Sequence, residues 1–242
     1  MPPPVRAAHA AELRHLGPAA VREYLSSRSG LPGPRANLEL MQAFADVAAP
    51  ALIHELSRDD DVYLRCCSTV GLGRLYLEAD DDERAAVRDR LTRLAGDESW
   101  RVREATAMAA QRIGDGDPAA VRAVAGAWAS DPDPLVARAG IAALCEPRLL
   151  RDPLTATAAL AACTSATGTL QAVPPQSRRA EPVRVLRQAL GYCWSVAVVG
   201  DPAAGLPAFE ELRRRATDDA DLAWVVTSNT GKHRLRRLLG TD

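Results

Sequence analysis

The helix predicted over about residues 181–199 carries the side chains best suited to grip a ligand. Its apolar stripe consists of Leu186, Ala189, Leu190, Cys193, Val196 and Ala197. Arg184 and Arg187 face away from this stripe, and Trp194 lies at its border. Guanidinium and indole groups bind anions and aromatic rings through charge and cation–π contacts. We therefore interpret Arg184, Arg187 and Trp194 as a candidate binding surface. The alternative is that Trp194 packs inward and the arginines are solvated.

A second candidate surface lies on the helix predicted within residues 97–114. At 100° per residue the buried stripe of this helix consists of Val102, Ala105, Thr106, Ala109 and Ile113. Trp100 and Glu104 fall on the opposite face and are the candidate binding residues there. The alternative for Trp100 is a structural one, in which the indole covers the preceding turn.

Residue patterns for catalysis or metal binding are not found in the sequence. The four histidines are scattered, and the HExxH, GxSxG and Walker motifs and the Cys–His spacing of zinc sites are all missing. The Gly- and Pro-rich segment 29–35 is interpreted as a connector, because its two prolines remove the backbone donors that an anion would need. We predict no catalytic residue, no metal and no cofactor, and we favour a non-enzymatic protein.

Composition and charge limit the partners that the chain is expected to bind and the cell compartment in which it is expected to lie. The net charge is −1, so the chain as a whole does not attract nucleic acid, although residues 151–242 are mildly basic. Five cysteines without CxxC spacing predict free thiols in a reducing cytoplasm. Residues 153–177 are uncharged but too weakly apolar to span a bilayer, and no signal peptide is recognised. We predict a cytoplasmic protein that does not bind membranes.

The elements that position these side chains are predicted to be helices throughout. Aspartate followed by proline, an arrangement typical of helix starts, occurs at Asp117, Asp131, Asp133, Asp152 and Asp201. Acidic turns followed by an apolar residue recur with spacings of 38 residues (Leu64 to Val102), 34 residues (Val102 to Val136) and 86 residues (Val136 to Leu222). Such spacing predicts stacked two-helix repeats in a single domain over residues 1–242.

The acidic turn, the Val-Arg pair and the small residues that follow resemble HEAT repeats, as found in bacterial proteins. The resemblance covers about residues 36–239 and is strongest at 59–75 and 97–114. It implies an all-α, right-handed α-solenoid (armadillo-like superhelix) of about five or six repeats that binds a protein partner on its concave face. It also implies that Arg65 and Arg103 bond to the turn acids Asp60 and Asp97. The pattern is degraded at 131–145 and at 218–230, where no arginine follows Leu222.

An alternative function comes from the HEAT-like DNA-alkylation-repair glycosylases of bacteria, which this chain resembles in length. That resemblance would give Trp100, Trp194 and the helix arginines to DNA binding and would make Glu104 the carboxylate of the site. The near-neutral charge departs from that family's basic surface, so nucleic acid is predicted to bind weakly at most. A HEAT-like lyase for chromophore attachment is a third hypothesis.

Overall fold

Aspartates at the helix starts organise the chain locally. In the computed structural model, which describes residues 4–240, a side-chain oxygen of Asp61, Asp117, Asp133, Asp152 or Asp201 accepts a hydrogen bond from a backbone N–H in the first turn of the helix that follows. These bonds satisfy donors that have no partner inside the helix. The predicted Asp-Pro helix starts are confirmed at Asp117, Asp133, Asp152 and Asp201, while Asp131 lies in the turn before the helix that begins at Pro134.

The described residues form α-helices without any strand, so the all-α prediction is confirmed for residues 4–240. The chain divides into two compact units, Met1–Ile113 and Gly114–Asp242. The first unit contains α1 (Pro4–Arg14), α2 (Pro18–Ser27), α3 (Leu38–Val47), α4 (Pro50–Leu56), α5 (Val62–Glu78), α6 (Asp81–Ala95) and most of α7 (Trp100–Gly116). The second contains α8 (Pro118–Ala129), α9 (Pro134–Leu144), α10 (Pro153–Ala172), α11 (Glu181–Gly200), α12 (Pro202–Arg215), α13 (Ala220–Thr230) and α14 (His233–Leu239).

The core of the first unit is built around α5, which packs against α2, α3, α4 and α6. Its close approach to α7 depends on small residues. A Cβ added to Gly73 would clash with the backbone carbonyl of Ala109, so only glycine allows this approach. On α7 the whole predicted stripe, from Val102 to Ile113, is buried, which confirms the predicted face.

The core of the second unit is built around α11, which packs against α9, α10, α12, α13 and α14. Within it α10 extends to Ala172, because Thr167 and Leu170 are buried and keep its last turns packed against the core.

All five cysteines are free thiols buried in the core, as predicted. Burial raises the pKa of Cys66 to about 12. In the second unit the sulfur atoms of Cys145 and Cys163 lie 3.7 Å apart. Within residues 4–240 no helix combines the length and the apolar character needed to cross a bilayer.

Candidate functional site

The arginines of the two strongest repeat turns are structural. Nη1 of Arg65 donates to the carbonyl oxygens of Asp59 (2.8 Å) and Asp60 (3.2 Å), and its Nη2 lies 3.5 Å from Oδ1 of Asp97 in the next turn. Arg103 donates from Nη1 to the carbonyl of Asp97 at 2.9 Å. The role implied by the HEAT resemblance is confirmed for Arg65. It differs in one atom, because Asp60 accepts through its backbone carbonyl instead of its carboxylate.

The predicted binding residues of α11 are divided between surface and core. Arg184 is exposed. Arg187 is partly buried, and its Nη1 donates to Oδ1 of Asp221 at 2.6 Å. The interpretation of Trp194 as a binding residue is wrong, and the alternative that it packs inward holds: its side chain is 2% exposed, and its Nε1 donates to Oγ1 of Thr167 at 3.1 Å.

Trp194 is buried because two helices cover the border position that the helical periodicity left open. Thr167 belongs to α10, and Phe209 of α12 places its ring centroid 6.2 Å from that of Trp194. A buried indole usually finds a partner for its N–H, and Thr167 supplies it here. Trp194 therefore stabilises the core of the second unit and does not reach a ligand.

Two other aromatic side chains of the second unit, one on α11 and one on α13, are exposed instead. Tyr192 of α11 is 43% exposed and Trp224 of α13 is 41% exposed. The guanidinium carbon of Arg187 lies 5.0 Å from the centroid of Trp224, and that of Arg234 lies 4.6 Å from the centroid of Tyr192. We call this set, together with Lys232 at 5.9 Å from the Tyr192 ring, the aromatic–basic surface.

The sequence held a partial signal for the aromatic–basic surface. Tyr192 follows Arg184 and Gln188 at intervals of four residues, so the three side chains share one exposed stripe of α11. No such pattern in the sequence pointed to Trp224, because its ring lies against α11 only through the close packing of α13 on α11. A Cβ at Gly191 would clash with the Trp224 ring, so glycine makes room for the indole.

Next to this surface lies a notch of about 360 Å³. Leu150, Val196 and Val199 contribute apolar atoms to its lining, and Arg151 and Arg234 contribute two cations. Arg234 also donates from Nη2 to the hydroxyl of Tyr192 at 3.1 Å. The notch therefore extends the aromatic–basic surface along α11 and shares Arg234 with it.

Trp100 and Glu104 lie at the surface of the first unit. Trp100 is 56% exposed, and the guanidinium carbon of Arg101 lies 4.6 Å from its ring centroid. Arg101 donates in turn to the carbonyl of Gly33 at 3.3 Å, which ties the connector 29–35 to the start of α7. Glu104 is exposed one turn further along. Their role in binding stays a prediction.

A groove of about 480 Å³ runs between α4 and α6 of the first unit, and we call it the α4–α6 groove. Its lining includes Arg58, Arg90 and Arg93 at one end and Glu83 at the other. The pKa of Arg90 is lowered, first by burial and then by the charges of Arg58 and Arg93. Sequence reasoning missed this groove, because its cations come from two separate helices with ordinary solvated faces.

Comparisons with known proteins describe the repeats. Residues 49–145 match the family model of HEAT repeats. That segment contains the helices from α4 to α9 and both turns in which Arg65 and Arg103 were recognised. In the part of the chain that the structure describes, no group of three or more His, Cys, Asp or Glu side chains could hold a metal ion. A search of curated proteins gave no match.

Three of the solved structures that are similar to this chain are engineered or designed proteins. Two engineered proteins from the Northeast Structural Genomics Consortium are each 16% identical with TM-scores of 0.38. The alignments cover 93% of this chain and 94% of the first protein, and 95% of this chain and 100% of the second. A designed armadillo repeat protein in complex with the peptide (KR)4 is 14% identical, with a TM-score of 0.35 and coverage of 94% and 100%.

Proposed function

We propose that this chain is a non-enzymatic, HEAT-like binding scaffold that holds a protein partner on the aromatic–basic surface of its second unit. The observation that carries the proposal is the exposure of two aromatic rings that each stack against an arginine, Trp224 against Arg187 and Tyr192 against Arg234. Tryptophan, tyrosine and arginine are the residues that contribute most to binding free energy at protein interfaces. The concave face of a right-handed superhelix remains our expected location for this surface.

The geometry favours a protein partner because both aromatic rings are already held in place. Arg234 stacks on Tyr192 and hydrogen-bonds its hydroxyl, and Arg187 is fixed between Trp224 and Asp221. Such prior ordering reduces the side-chain entropy that is lost on binding. The rings can then be covered by an apolar side chain of the partner at a smaller entropic cost.

The charge of the aromatic–basic surface argues against nucleic acid as the main ligand. Arg187 is neutralised by Asp221, so only part of the cationic charge is free to contact phosphates. Binding to a duplex gains most of its affinity from several such contacts, each of which steepens the salt dependence. A protein surface needs fewer charges and uses the exposed rings directly.

The glycosylase alternative has no observation in its favour. It required Trp194 beside a ligand, and this side chain is buried. Glu104 lies on an exposed helix face and does not line the α4–α6 groove. For the location in the cell we keep the proposal of a reducing cytoplasm, which the five buried free thiols support.

The proposed function is tested with the double variant Tyr192→Ala/Trp224→Ala. Proteins that copurify with the full chain are identified, the partner is purified, and its dissociation constant is measured by calorimetry. We expect the double variant to weaken binding by about a thousandfold, since two interface anchors each contribute on the order of 2 kcal/mol.

The matched control is Leu154→Ala, which removes another exposed apolar side chain, from α10 of the same unit. This variant should bind as the wild type does. Equal weakening by both variants, or a partner that binds the double variant with unchanged affinity, would refute the proposed surface. Release of a methylated base from DNA by the wild type would favour the glycosylase instead.

A further inference from the structure

One end of the α4–α6 groove carries cations that lack anionic partners. Arg58 follows α4, and Arg90 and Arg93 belong to the last turns of α6. Among the residues the structure describes, no carboxylate oxygen lies within 4 Å of a guanidinium nitrogen of these three arginines. Arg90 is held in place by Ser57, because its Nη2 donates to Oγ (2.7 Å) and to the carbonyl oxygen (3.0 Å) of that residue.

Arginines that lie close together without an anionic partner repel each other. Two other arginines of the first unit have carboxylate partners: Arg6 pairs with Asp46 at 2.8 Å and Arg22 with Glu55 at 2.8 Å. The groove end therefore differs from these neutralised parts of the same unit. An anion bound between Arg58 and Arg93 would relieve the repulsion.

The rest of the groove is suited to a segment of some length. Leu72, Leu75 and Val87 form the largely buried floor of the groove between its two ends, Ala86 adds an exposed methyl group, and Glu83 lies at the far end. From Glu83 to Arg93 the axis of α6 rises by about 15 Å, at 1.5 Å per residue. An extended peptide of about five residues spans that distance, at 3.3 Å per residue.

We propose that the α4–α6 groove binds an acidic peptide segment of a partner protein. Its carboxylates contact Arg58, Arg90 and Arg93, and an apolar side chain lies over Leu75 and Val87. A small free anion would leave the apolar part of the groove uncovered. A nucleic acid would bring its phosphates against Glu83, so the charge pattern favours a peptide with acid at one end only.

The experiment is a selection of random dodecapeptides displayed on phage, with the full-length wild-type chain as the target. We expect the enriched peptides to share two or more Asp or Glu residues next to a Leu, Ile or Phe. The tightest peptide, made synthetically, should bind Arg58→Gln/Arg93→Gln at least tenfold more weakly, which corresponds to about 1.4 kcal/mol. Increasing salt should weaken binding to the wild type.

The control is Arg88→Gln, which removes one arginine charge from α6, the helix of Arg93, at a position outside the groove lining. It should leave peptide binding unchanged, and thermal melting checks that all variants fold. Arg90 is left intact in the test, because its bonds to Ser57 give it a structural role.

Three results would overturn the proposal: no enriched peptide, enrichment without acidic residues, or equal affinity for the wild type and Arg58→Gln/Arg93→Gln. Displacement of the peptide by inorganic phosphate alone, at similar concentration, would also contradict it, because it would indicate a site for small anions. Tyr192→Ala/Trp224→Ala should bind the peptide normally. The two proposals can therefore fail independently.

Discussion

The acidic turns at 59–61 and 219–221 are contacted by arginines from different places in the sequence. In the first of these turns Arg65 lies four residues after Asp61 and binds the carbonyls of its own turn, while the carboxylate of Asp59 pairs with Arg22 of α2. In the last turn Arg178 precedes α11 and donates from Nη1 to Oδ2 of Asp219 at 2.9 Å. The comparison shows that the signature can disappear locally while a distant arginine keeps the turn neutralised.

The helices of the two regions are also joined differently. In the first unit α5 meets α7 at Gly73, where one backbone lies directly against the other. In the second unit α13 meets α11 through Asn229, which is fully buried. Its Nδ2 donates to the carbonyls of Leu190 and Val225, and its Oδ1 accepts from the N–H of Ser195 at 2.8 Å. The first contact depends on shape and the second on hydrogen bonds.

The largest effect is expected from breaking the hydrogen-bonded contact. Asn229→Leu removes all three bonds and buries an apolar group against polar backbone atoms. The free energy of unfolding of the second unit should fall by about 3 kcal/mol, since each buried polar group left unpaired costs on the order of 1–3 kcal/mol. Urea unfolding followed by tryptophan fluorescence measures this loss, because Trp194 lies in the same core.

The control for this variant is Thr227→Ala, at an exposed position on the same helix. It should change the unfolding free energy by less than about 0.5 kcal/mol. If the two substitutions had similar effects, the role given to Asn229 would be wrong.

A smaller loss is expected from breaking the contact that depends on shape. Gly73→Ala forces the backbones of α5 and α7 apart and should cost about 2 kcal/mol, as overpacked cores commonly do. Gly126→Ala in α8 is the matched substitution, because a Cβ there meets no atom within 4 Å. It should stabilise its helix by about 0.5–1 kcal/mol. Thermal melting of both variants checks the pair, and a destabilising Gly126→Ala would contradict the geometry.

The smallest effect concerns the two arginines. Arg65→Gln and Arg178→Gln should each cost about 1–2 kcal/mol at pH 7, because each removes charge-assisted hydrogen bonds to a partly buried turn. A clear difference between the two losses would show that the distant arginine does not replace the local one. Urea unfolding of each variant gives the comparison.

The pH dependence of the unfolding free energy gives a second test of the pair formed by Arg178 and Asp219. Burial alone would raise the pKa of Asp219, but the N–H of Leu222 and the guanidinium of Arg178 outweigh it and lower the pKa. A lowered pKa means that this stabilisation is present above the unfolded pKa of about 3.9 and is lost as the pH falls further. The cost of Arg178→Gln should therefore be full at pH 7 and shrink below about pH 4. An unchanged cost well below that pH would contradict the pairing.

The sequence predicted those features that depend on neighbours along the chain. Aspartate caps, the buried stripe of α7 and the bonds of Arg65 all follow from residues within a few positions, or from one repeat to the next. Trp194 was misplaced because helical periodicity gives the direction of a side chain but not what covers it. Thr167 and Phe209, which cover it, are distant in sequence.

The α4–α6 groove and the aromatic–basic surface could not be predicted from the sequence for the same reason. Each is formed by side chains from separate helices that periodicity assigns to solvent. The pairing of Arg187 with Asp221 likewise depends on how α13 packs against α11. Exposed positions carry little information about their neighbours, because many packings leave the same residues exposed.

The buried cysteines give each unit its own chemical reporter of opening. Cys66 and Cys67 belong to the first unit, and Cys145, Cys163 and Cys193 belong to the second. Burial raises the pKa of thiols in both units, so alkylating reagents encounter thiolate only after the surrounding helices separate. Mass spectrometry of the labelled peptides would then time the opening of each unit separately in the unmodified protein, without an engineered probe.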